Sequence, residues 1–422
     1  MMAGRYHFRP HRWLALTAAM LLLAGAVSAC SGAATPTPAP ELSDEPADSA
    51  QVRTFEELWQ TINDNYVYDD FLGVNWNAVH DTYASQISAD LSTEEYDALL
   101  NAMVNELPDG LVTWQTREER LQADVQSTTA YEGIGSYVGV RSEPVPRVVL
   151  LSIIAGSPAE QAGLQSHDSI LSIDGTPVAS DEGLDVVQRI RGPAGSQVAL
   201  MVRSPGEEPR QVMVSRASMP FAASALQPEV IGDNVGYILF PPAPYDDLSN
   251  QILNVLQTLS EQRHVDSLVL DMRIATATSG WPLGLLLSLF SDGNLGTVHS
   301  RSEVQPVTIQ GEDIYNSQSI PLAIIVGPDT NGAIEVFAAA MQSSGRAVVV
   351  GLPTPGDIEV MSEYMLPDGS RALIPTQSYV TPDGVDIGLS GVLPDVSVDL
   401  DWDAVTASDD PVRDAAVAAL SS

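Results

Sequence analysis

The sequence of 422 residues contains no lysine, because all 19 residues of its lysine and arginine total are arginine. A buried lysine can lose its proton and serve as a general base, whereas arginine stays protonated inside proteins. Any mechanism that depends on a neutral lysine as its base is therefore excluded for this chain.

Cysteine is almost absent as well: Cys30 is the only one, and a single cysteine cannot form a disulfide framework. Three arginines within residues 5–12 precede an apolar run at 14–29, and Val-Ser-Ala-Cys stands at 27–30. This layout indicates a secretory signal peptide at 1–29. The last four residues resemble a bacterial lipobox, whose cysteine is lipidated. An ordinary signal peptide with an unrelated cysteine is the alternative.

Basic residues are few beside the 55 aspartates and glutamates, and the formal net charge is −36. Such a chain repels phosphate backbones, so we expect no nucleic-acid partner. Residues 30–50 are rich in proline, alanine and acidic residues, a composition that disfavours helix and predicts an extended tether. Together with lipidation of Cys30, it predicts an extracytoplasmic protein with a lipid anchor in a bacterial cell membrane.

Residues 51–130 are predicted to form an N-terminal helical domain. Apolar side chains recur at helical spacing at 54–62, and a further helix is indicated at 76–83. Ser92, followed three residues later by Glu95, has the pattern of a capping box at the start of another helix.

Residues 131–217 contain Gly-Ser-Pro-Ala-Glu-Gln-Ala-Gly-Leu at 156–164 and Asp-Ser-Ile-Leu-Ser-Ile-Asp-Gly at 168–175. These stretches resemble the bacterial PDZ pattern GSPAxxAGL followed by GDxIlxIdG, with His167 where that pattern usually has glycine. The resemblance implies a β-rich, PDZ-like domain. We expect His167 to be a solvated loop residue.

A PDZ domain binds an extended peptide by adding it as a strand to a sheet edge. We expect the turn at 133–135 to hold the peptide carboxylate, the strand at 137–140 to receive the peptide, and the helix at 183–190 to form the opposite wall. The candidate peptide-binding residues are Gly133, Ile134, Gly135, Tyr137, Val138 and Val187. A PDZ fold that serves only as a spacer is the alternative.

Residues 218–422 alternate apolar strands with helices, which is typical of an α/β core. Strands are predicted at 235–240, 267–273, 321–326 and 347–351, and helices at 250–259, 281–290 and 333–343. The predicted fold class is an α/β multidomain protein with a helical segment and a β-rich domain before its core.

The order of these parts, over about residues 52–420, resembles the C-terminal-processing (tail-specific) serine peptidases. The stretches that carry the resemblance are Gly-Tyr-Ile at 236–238, Leu-Asp-Met-Arg at 270–273, Gly-Arg-Ala-Val-Val-Val-Gly at 345–351, Tyr-Val-Thr-Pro-Asp-Gly at 379–384 and Gly-Val-Leu-Pro-Asp-Val at 391–396. The resemblance implies a ClpP/crotonase-like core that carries a serine nucleophile and a lysine base.

Neither catalytic residue of that family is present at its position here. The family's GSASASE turn corresponds to Asp-Thr-Asn-Gly-Ala-Ile-Glu at 329–335, which places Gly332 at the nucleophile position. Its GxxTxGKG stretch begins at Gly351, which places Asp357 at the base position and Met361 where the family often has glutamine. A carboxylate has the opposite charge to an ammonium group, so the replacement of the base is not conservative.

The family's glycine-rich DLRxNxGG turn, which supplies oxyanion-hole N–H groups, is also altered, since 275–280 reads Ala-Thr-Ala-Thr-Ser-Gly. Ser279 and Thr330 remain as fallback nucleophiles. A relocated Ser/His/Asp triad would need one of the four histidines after the signal, and none of them has a partner motif. We expect no metal and no cofactor, because no ligand spacing or phosphate loop occurs.

The leading hypothesis is a membrane-tethered pseudo-peptidase that binds extended peptides or protein C-termini through its PDZ domain. An active serine-type endopeptidase with a relocated catalytic group is the alternative. A third hypothesis is a structural partner that pairs with an active paralogue.

Overall fold

The computed structural model describes residues 47–87, 91–107, 112–128, 131–219, 226–245, 247–276 and 280–421. Its α-helices are α1 (Ala47–Asn65), α2 (Trp76–Ala84), α3 (Thr93–Val104), α4 (Arg117–Thr128), α5 (Pro158–Gln161), α6 (Val186–Ile190), α7 (Leu248–Gln257), α8 (Leu283–Phe290), α9 (Ala333–Ser343) and α10 (Pro411–Ala419). Its first nine strands are β1 (Thr113–Gln115), β2 (Tyr131–Gly133), β3 (Ser136–Arg141), β4 (Arg147–Ile153), β5 (Ser169–Ile173), β6 (Thr176–Pro177), β7 (Gln197–Arg203), β8 (Arg210–Ser215) and β9 (Ala217–Met219). The remaining strands are β10 (Glu229–Ile231), β11 (Val235–Leu239), β12 (Ser267–Asp271), β13 (Gly293–Ser300), β14 (Val304–Ile309), β15 (Leu322–Val326), β16 (Val348–Gly351), β17 (Val360–Met365), β18 (Arg371–Val380) and β19 (Val396–Ser397).

Several sequence predictions fall outside these ranges. The signal peptide at 1–29, Cys30, the tether up to residue 46 and Ser279 are not among the described residues. Within the described ranges, no helix combines the length and the apolar character that a membrane crossing requires.

The helical region shares its core with strands far along the chain. Helices α1, α2 and α3 bury an aromatic-rich stripe against the side chains of Ala372 and Ile374 on β18. Strand β1 pairs with β18, with Trp114 opposite Ala372. The predicted capping box is present, since Ser92 and Glu95 each accept a backbone hydrogen bond from the other at the start of α3.

The PDZ domain is built on an antiparallel sheet with the order β3-β4-β5-β7-β8, and β2 pairs with β9 where the chain enters and leaves. Strand β3 is an edge of this sheet. The turn between β5 and β6 has positive φ at Asp174 (49°) and Gly175 (79°), the conformation that the Asp-Gly pair favours. The predicted helix at 183–190 is a 3₁₀ turn (Gly183–Asp185) followed by α6.

The β3–β4 hairpin is buried on both of its faces. Val148 and Leu150 on β4 point into the PDZ core, while Val149 and Leu151 pack with Ile274 and Trp402 of the α/β region. This two-sided burial explains why 147–153 is an almost continuous apolar run. The PDZ domain therefore packs against the α/β core through a sheet face.

The α/β core has a six-stranded sheet with the order β10-β11-β12-β15-β16-β19, in which all strands except β10 are parallel. Helices α7, α8 and α9 pack on one face of this sheet and α10 packs on the other. The predicted strands and helices of the core lie here, shorter by one or two residues at some ends.

A second core sheet was not predicted. It is antiparallel, with the order β1-β18-β13-β14 and with β17 also paired to β18. Strand β17 alternates exposed and half-buried residues, as in Met361, Ser362 and Glu363, so it lacks the apolar run that identified the parallel strands.

Candidate functional site

Gly332, which the sequence comparison assigns to the nucleophile position, lies at the start of α9, after the loop that follows β15. Gly332 is the N-cap residue of α9, with φ of 66° and ψ of −135°. Only glycine adopts this part of conformational space readily. The position therefore carries no side chain, and its backbone geometry would strain any other residue placed there.

Glu335 links this turn to the loop that holds the base position. Its Oε2 atom accepts the backbone N–H of Gly332 at 3.0 Å, and its Oε1 atom accepts the N–H of Gly356 at 2.7 Å and the hydroxyl of Thr354 at 2.5 Å. The side chain is fully buried. Burial raises the pKa of Glu335 to about 7, although the three donors favour the ionised form.

The hydroxyl of Thr354 and the carboxylate of Glu335 together resemble a nucleophile paired with a base. Thr354 is nevertheless buried, and its oxygen also accepts the backbone N–H of Val392 at 2.8 Å. It therefore ties the 354–356 loop to the segment around Val392, and it is not presented to a substrate.

Asp357, at the base position, is exposed and lines a cleft of about 540 Å³ together with Asn331 and Thr276. Met361, four residues later, lies on β17 and is 41% exposed. A carboxylate and an amide line the cleft where the related peptidases would need a hydroxyl and an amine.

The fallback nucleophile Thr330 is not available to a substrate. Its side chain is fully buried, its hydroxyl donates to the carbonyl of Met272 at 2.8 Å, and it accepts the N–H of Gly327 at 2.9 Å. Thr276 forms an isolated parallel bridge with Asn331, the residue after Thr330.

Of the four described histidines, His80, His167 and His299 contact carboxylate or carbonyl oxygens, and none of these contacts forms a triad. His299 Nε2 lies 3.3 Å from Asp386, and the hydroxyl of Ser378 donates to the same carboxylate at 3.2 Å. The carboxylate thus lies between serine and histidine, whereas a triad needs the imidazole between them. His80 contacts Glu56 on the helical region.

The expectation that His167 is solvated is wrong. The residue is buried, its ring stacks on that of Trp402 with centroids 4.0 Å apart, and its Nδ1 atom donates to the Trp402 carbonyl at 2.7 Å. Its φ of 75° explains why the related pattern has glycine here.

The PDZ domain has the groove that the sequence predicts. A cavity of about 150 Å³ lies between β3 and α6, and its lining includes the predicted residues Tyr137, Val138 and Val187. Ile134 is fully buried in the PDZ core, so it can contribute only its backbone to a ligand. Gly133 lies on β2, and Gly135, with φ of 86°, lies in the turn before β3.

Three further groove residues, Ser136, Ile154 and Arg191, were not predicted, whereas Ile190 belongs to the helix that was expected to form the opposite wall. Ser136 begins β3, and Ile154 and Arg191 each follow the end of an element, so helical spacing does not indicate them.

A buried ionic network joins the PDZ domain to the core. The Arg141 guanidinium makes two hydrogen bonds to Asp329, of 3.1 and 2.5 Å, and two to Asp401, of 2.5 and 3.0 Å. Arg147 binds Asp401 and Asp403, and the hydroxyl of Ser169 also donates to Asp403. Asp329 lies three residues before Gly332, so the network reaches the nucleophile turn.

Burial opposes ionisation of two of the three carboxylates of this network, Asp329 and Asp403, but the resulting pKa shifts differ in direction. Burial raises the pKa of Asp329, which the hydrogen bonds from Arg141 only partly offset. Burial also opposes ionisation of Asp403, yet hydrogen bonds from Arg147 and Ser169 hold its pKa below the usual range. In the part of the chain that the structure describes, no cluster of histidine, cysteine and acidic residues could hold a metal ion.

Three family models match this chain in consecutive regions. Residues 52–105 match "Tricorn protease C1 domain", residues 149–204 match "PDZ domain", and residues 234–398 match "Peptidase family S41". The order of the three matches agrees with the helical region, the PDZ domain and the α/β core described above.

Named relatives cover most of the chain. A chloroplastic C-terminal processing peptidase of Tetradesmus obliquus is 28% identical over 362 residues, which is 82% of this chain and 76% of the relative. A carboxyl-terminal-processing protease of Synechocystis is 28% identical over 354 residues, or 81% and 80% of the two chains. The structure of a photosystem II D1 C-terminal processing protease superposes with a TM-score of 0.63 at 26% identity, covering 85% of this chain and 95% of the other.

Proposed function

Since the chain is a peptidase family S41 protein with PDZ and Tricorn C1 domains, we propose that it binds C-terminal segments of other proteins without cleaving them. The observation that carries this proposal is the pair of residues at the dyad positions. Gly332 offers no side chain and Asp357 offers no amine, although Glu335 still holds their two loops together.

Loss of the dyad removes nucleophilic catalysis but leaves the parts that position a peptide. A serine peptidase needs a hydroxyl beside a base that can accept its proton. The hydroxyls of Thr330 and Thr354, which lie nearest the dyad positions in sequence, are not within reach of a substrate, because both are buried and engaged in hydrogen bonds. The edge strand β3 and the groove beside α6 fit strand addition by an extended peptide.

The proposal includes a membrane tether. The basic start, the short apolar segment and the Val-Ser-Ala-Cys stretch support export followed by lipidation of Cys30. The proline-rich and acidic stretch after Cys30 would then hold the folded part away from the bilayer. In this arrangement the protein works outside the cytoplasm, on the surface of a bacterial cell membrane.

The function is tested with the purified 31–422 fragment. Cleavage of an unfolded protein substrate is measured for this fragment and for a Ser279→Ala/Asp357→Ala double variant, with labelling by a serine-directed phosphonate in parallel. We expect no turnover and no labelling in either protein, with peptide binding retained in both.

Turnover that the double variant loses would instead show a relocated catalytic group and overturn the proposal. Turnover present in both samples at equal specific activity would indicate a contaminating or co-purifying protease. Stable co-purification of an active homologue would support a structural partnership in place of independent peptide binding.

The tether is tested on the full chain in a bacterial host. We expect the wild-type protein to partition into detergent and to incorporate a radiolabelled fatty acid, and Cys30→Ala to do neither. Equal labelling of the two chains would show that Cys30 is not the modified residue. Absence of label from both, with cleavage after Ala29, would show an ordinary signal peptide.

A further inference from the structure

Two cavities follow strand β3 end to end. The smaller, of about 150 Å³, runs from Ser136 to Val138 beside α6. The larger, of about 540 Å³, continues from Val138 to Ser142 and reaches Asp357 on the core. Because Val138 lines both cavities, they lie next to each other along β3, from the turn before the strand to Asp357. We call the two cavities together the tail groove.

The direction of a bound peptide follows from where its carboxylate can be held. The turn before β3 contains Gly135, with φ of 86°, and leads directly into Ser136 and Tyr137, which line the smaller cavity. A peptide whose carboxylate sits at this turn and whose backbone adds to β3 must run antiparallel to β3. Six residues of β3 span the groove, so the peptide residue about five to seven positions before the C-terminus lies at the Asp357 end.

The two ends of the tail groove differ in charge. Arg191 is the charged residue that lines the carboxylate end, where Val138, Val187 and Ile190 supply apolar surface. At the far end, Asp357 is exposed.

The Arg141 guanidinium at that far end is already shared by Asp329 and Asp401. Arg147 also binds Asp401, together with Asp403. Two arginines thus serve three carboxylates, Asp357 is a fourth, and the chain contains no lysine that could neutralise the excess.

We propose that the tail groove selects C-terminal tails that end in an apolar residue and carry a basic residue about five to seven positions upstream, which pairs with Asp357. This inference rests on the proposed function, since it requires that the PDZ groove binds free C-termini. According to this inference, Asp357 takes part in ligand selection.

The test is fluorescence anisotropy with the 31–422 fragment and labelled ten-residue peptides that end in valine. One peptide has arginine six positions before the C-terminus and its twin has glutamate there, and each is made with a free and with an amidated C-terminus. We expect the free arginine peptide to bind about fivefold more tightly than the free glutamate peptide at low salt. The difference should shrink as ionic strength rises from about 50 to about 500 mM, because exposed charges are screened.

Charge reversal at Asp357 distinguishes the effect of this residue on peptide affinity from the effect of the overall negative charge of the protein. Asp357→Lys should invert the preference between the two peptides, whereas Asp69→Lys makes the same charge change at an exposed residue outside the groove and should leave the preference unchanged. Equal affinity of the arginine and glutamate peptides, with amidated peptides still binding weakly, would overturn this inference and leave the proposed function standing. If free and amidated peptides bind equally well, or if neither binds, both this inference and the proposed function are overturned.

Discussion

The imidazole of His167 stacks on the indole of Trp402 at 4.0 Å and donates its Nδ1 hydrogen to the Trp402 carbonyl at 2.7 Å. This contact joins a PDZ loop to the C-terminal segment that also supplies Asp401 and Asp403 to the arginine network. Burial lowers the pKa of His167, and the positive charge of Arg273 acts in the same direction, while the hydrogen bond to the Trp402 carbonyl and the charges of Asp410 and Asp271 oppose it. The assembled protein therefore favours the neutral imidazole more than water does.

The His167 contact should make PDZ docking sensitive to acid. Because the folded-state pKa lies below the ordinary value of 6.5, the contribution of this group is present above 6.5 and is lost as pH falls toward the folded-state pKa. We expect hydrogen exchange of β3 and β4 to quicken as pH is lowered from about 7.5 to about 5.5, after correction for the intrinsic rate, and His167→Asn to remove this pH dependence. His264→Asn is the matched control, since His264 also has positive φ but is exposed. The same pH profile in wild type and His167→Asn would contradict the prediction.

Removing Arg141 should release the PDZ domain from the core. The change Arg141→Ala leaves Asp329 buried without its guanidinium and leaves Asp401 with Arg147 alone, so we expect a loss of about 3–5 kcal/mol in the free energy of docking or unfolding. Urea titration, combined with hydrogen exchange at β3, measures this loss of free energy. Glu207→Ala breaks the more exposed Arg210 pair within the PDZ domain and should cost less than about 1 kcal/mol. Similar costs for the two variants would show that the Arg141 network does not hold the interface.

Gly139 should be required for the close approach of β3 to the core. A Cβ atom at this position would lie 2.2 Å from Oδ1 of Asp329, so Gly139→Ala must displace either the strand or the carboxylate. We expect a loss of about 1–3 kcal/mol, measured by urea unfolding. Gly284→Ala on α8 meets no atom within 4 Å and should be neutral or stabilise by up to about 1 kcal/mol. A neutral Gly139→Ala would mean that Asp329 can move without cost.

Local signals in the sequence predicted the elements that depend on neighbours along the chain. The capping pair Ser92 and Glu95 and the apolar strands of the parallel sheet are confirmed, because each depends on residues a few positions apart. The assignment of Gly332 and Asp357 to the dyad positions stays a prediction from the sequence.

Long-range relationships were not predictable in the same way. Arg141 meets Asp329 and Asp401, which are 188 and 260 residues away, so no periodicity connects them. The position of His167 against Trp402 depends on docking of two domains, and a loop histidine is ordinarily solvated. Strands β17 and β18 mix polar and apolar residues because the sheet is partly exposed, which weakens the pattern that identifies buried strands.

Glu335 should make the chain less stable as pH rises, which is opposite to the effect of His167. Its pKa is raised from 4.5 to about 7 by burial, so the stability associated with its protonated form is present below 4.5 and is lost as pH increases through about 7. The shift corresponds to about 3 kcal/mol between the two limits. We therefore expect the free-energy difference between wild type and Glu335→Gln to change by about this amount between about pH 4.5 and pH 8, with wild type losing stability toward high pH.

Urea unfolding of wild type and Glu335→Gln across this pH range measures the effect, and taking the difference between the two removes the general repulsion of an acidic chain. Glu94→Gln changes the same charge on an exposed helix terminus and should give a flat difference curve. A flat curve for Glu335→Gln as well would show that the hydrogen bonds from Gly332, Thr354 and Gly356 keep the carboxylate ionised throughout. In that case the carboxylate would join the two loops as an anion at every pH, and its burial would be fully compensated by its three donors.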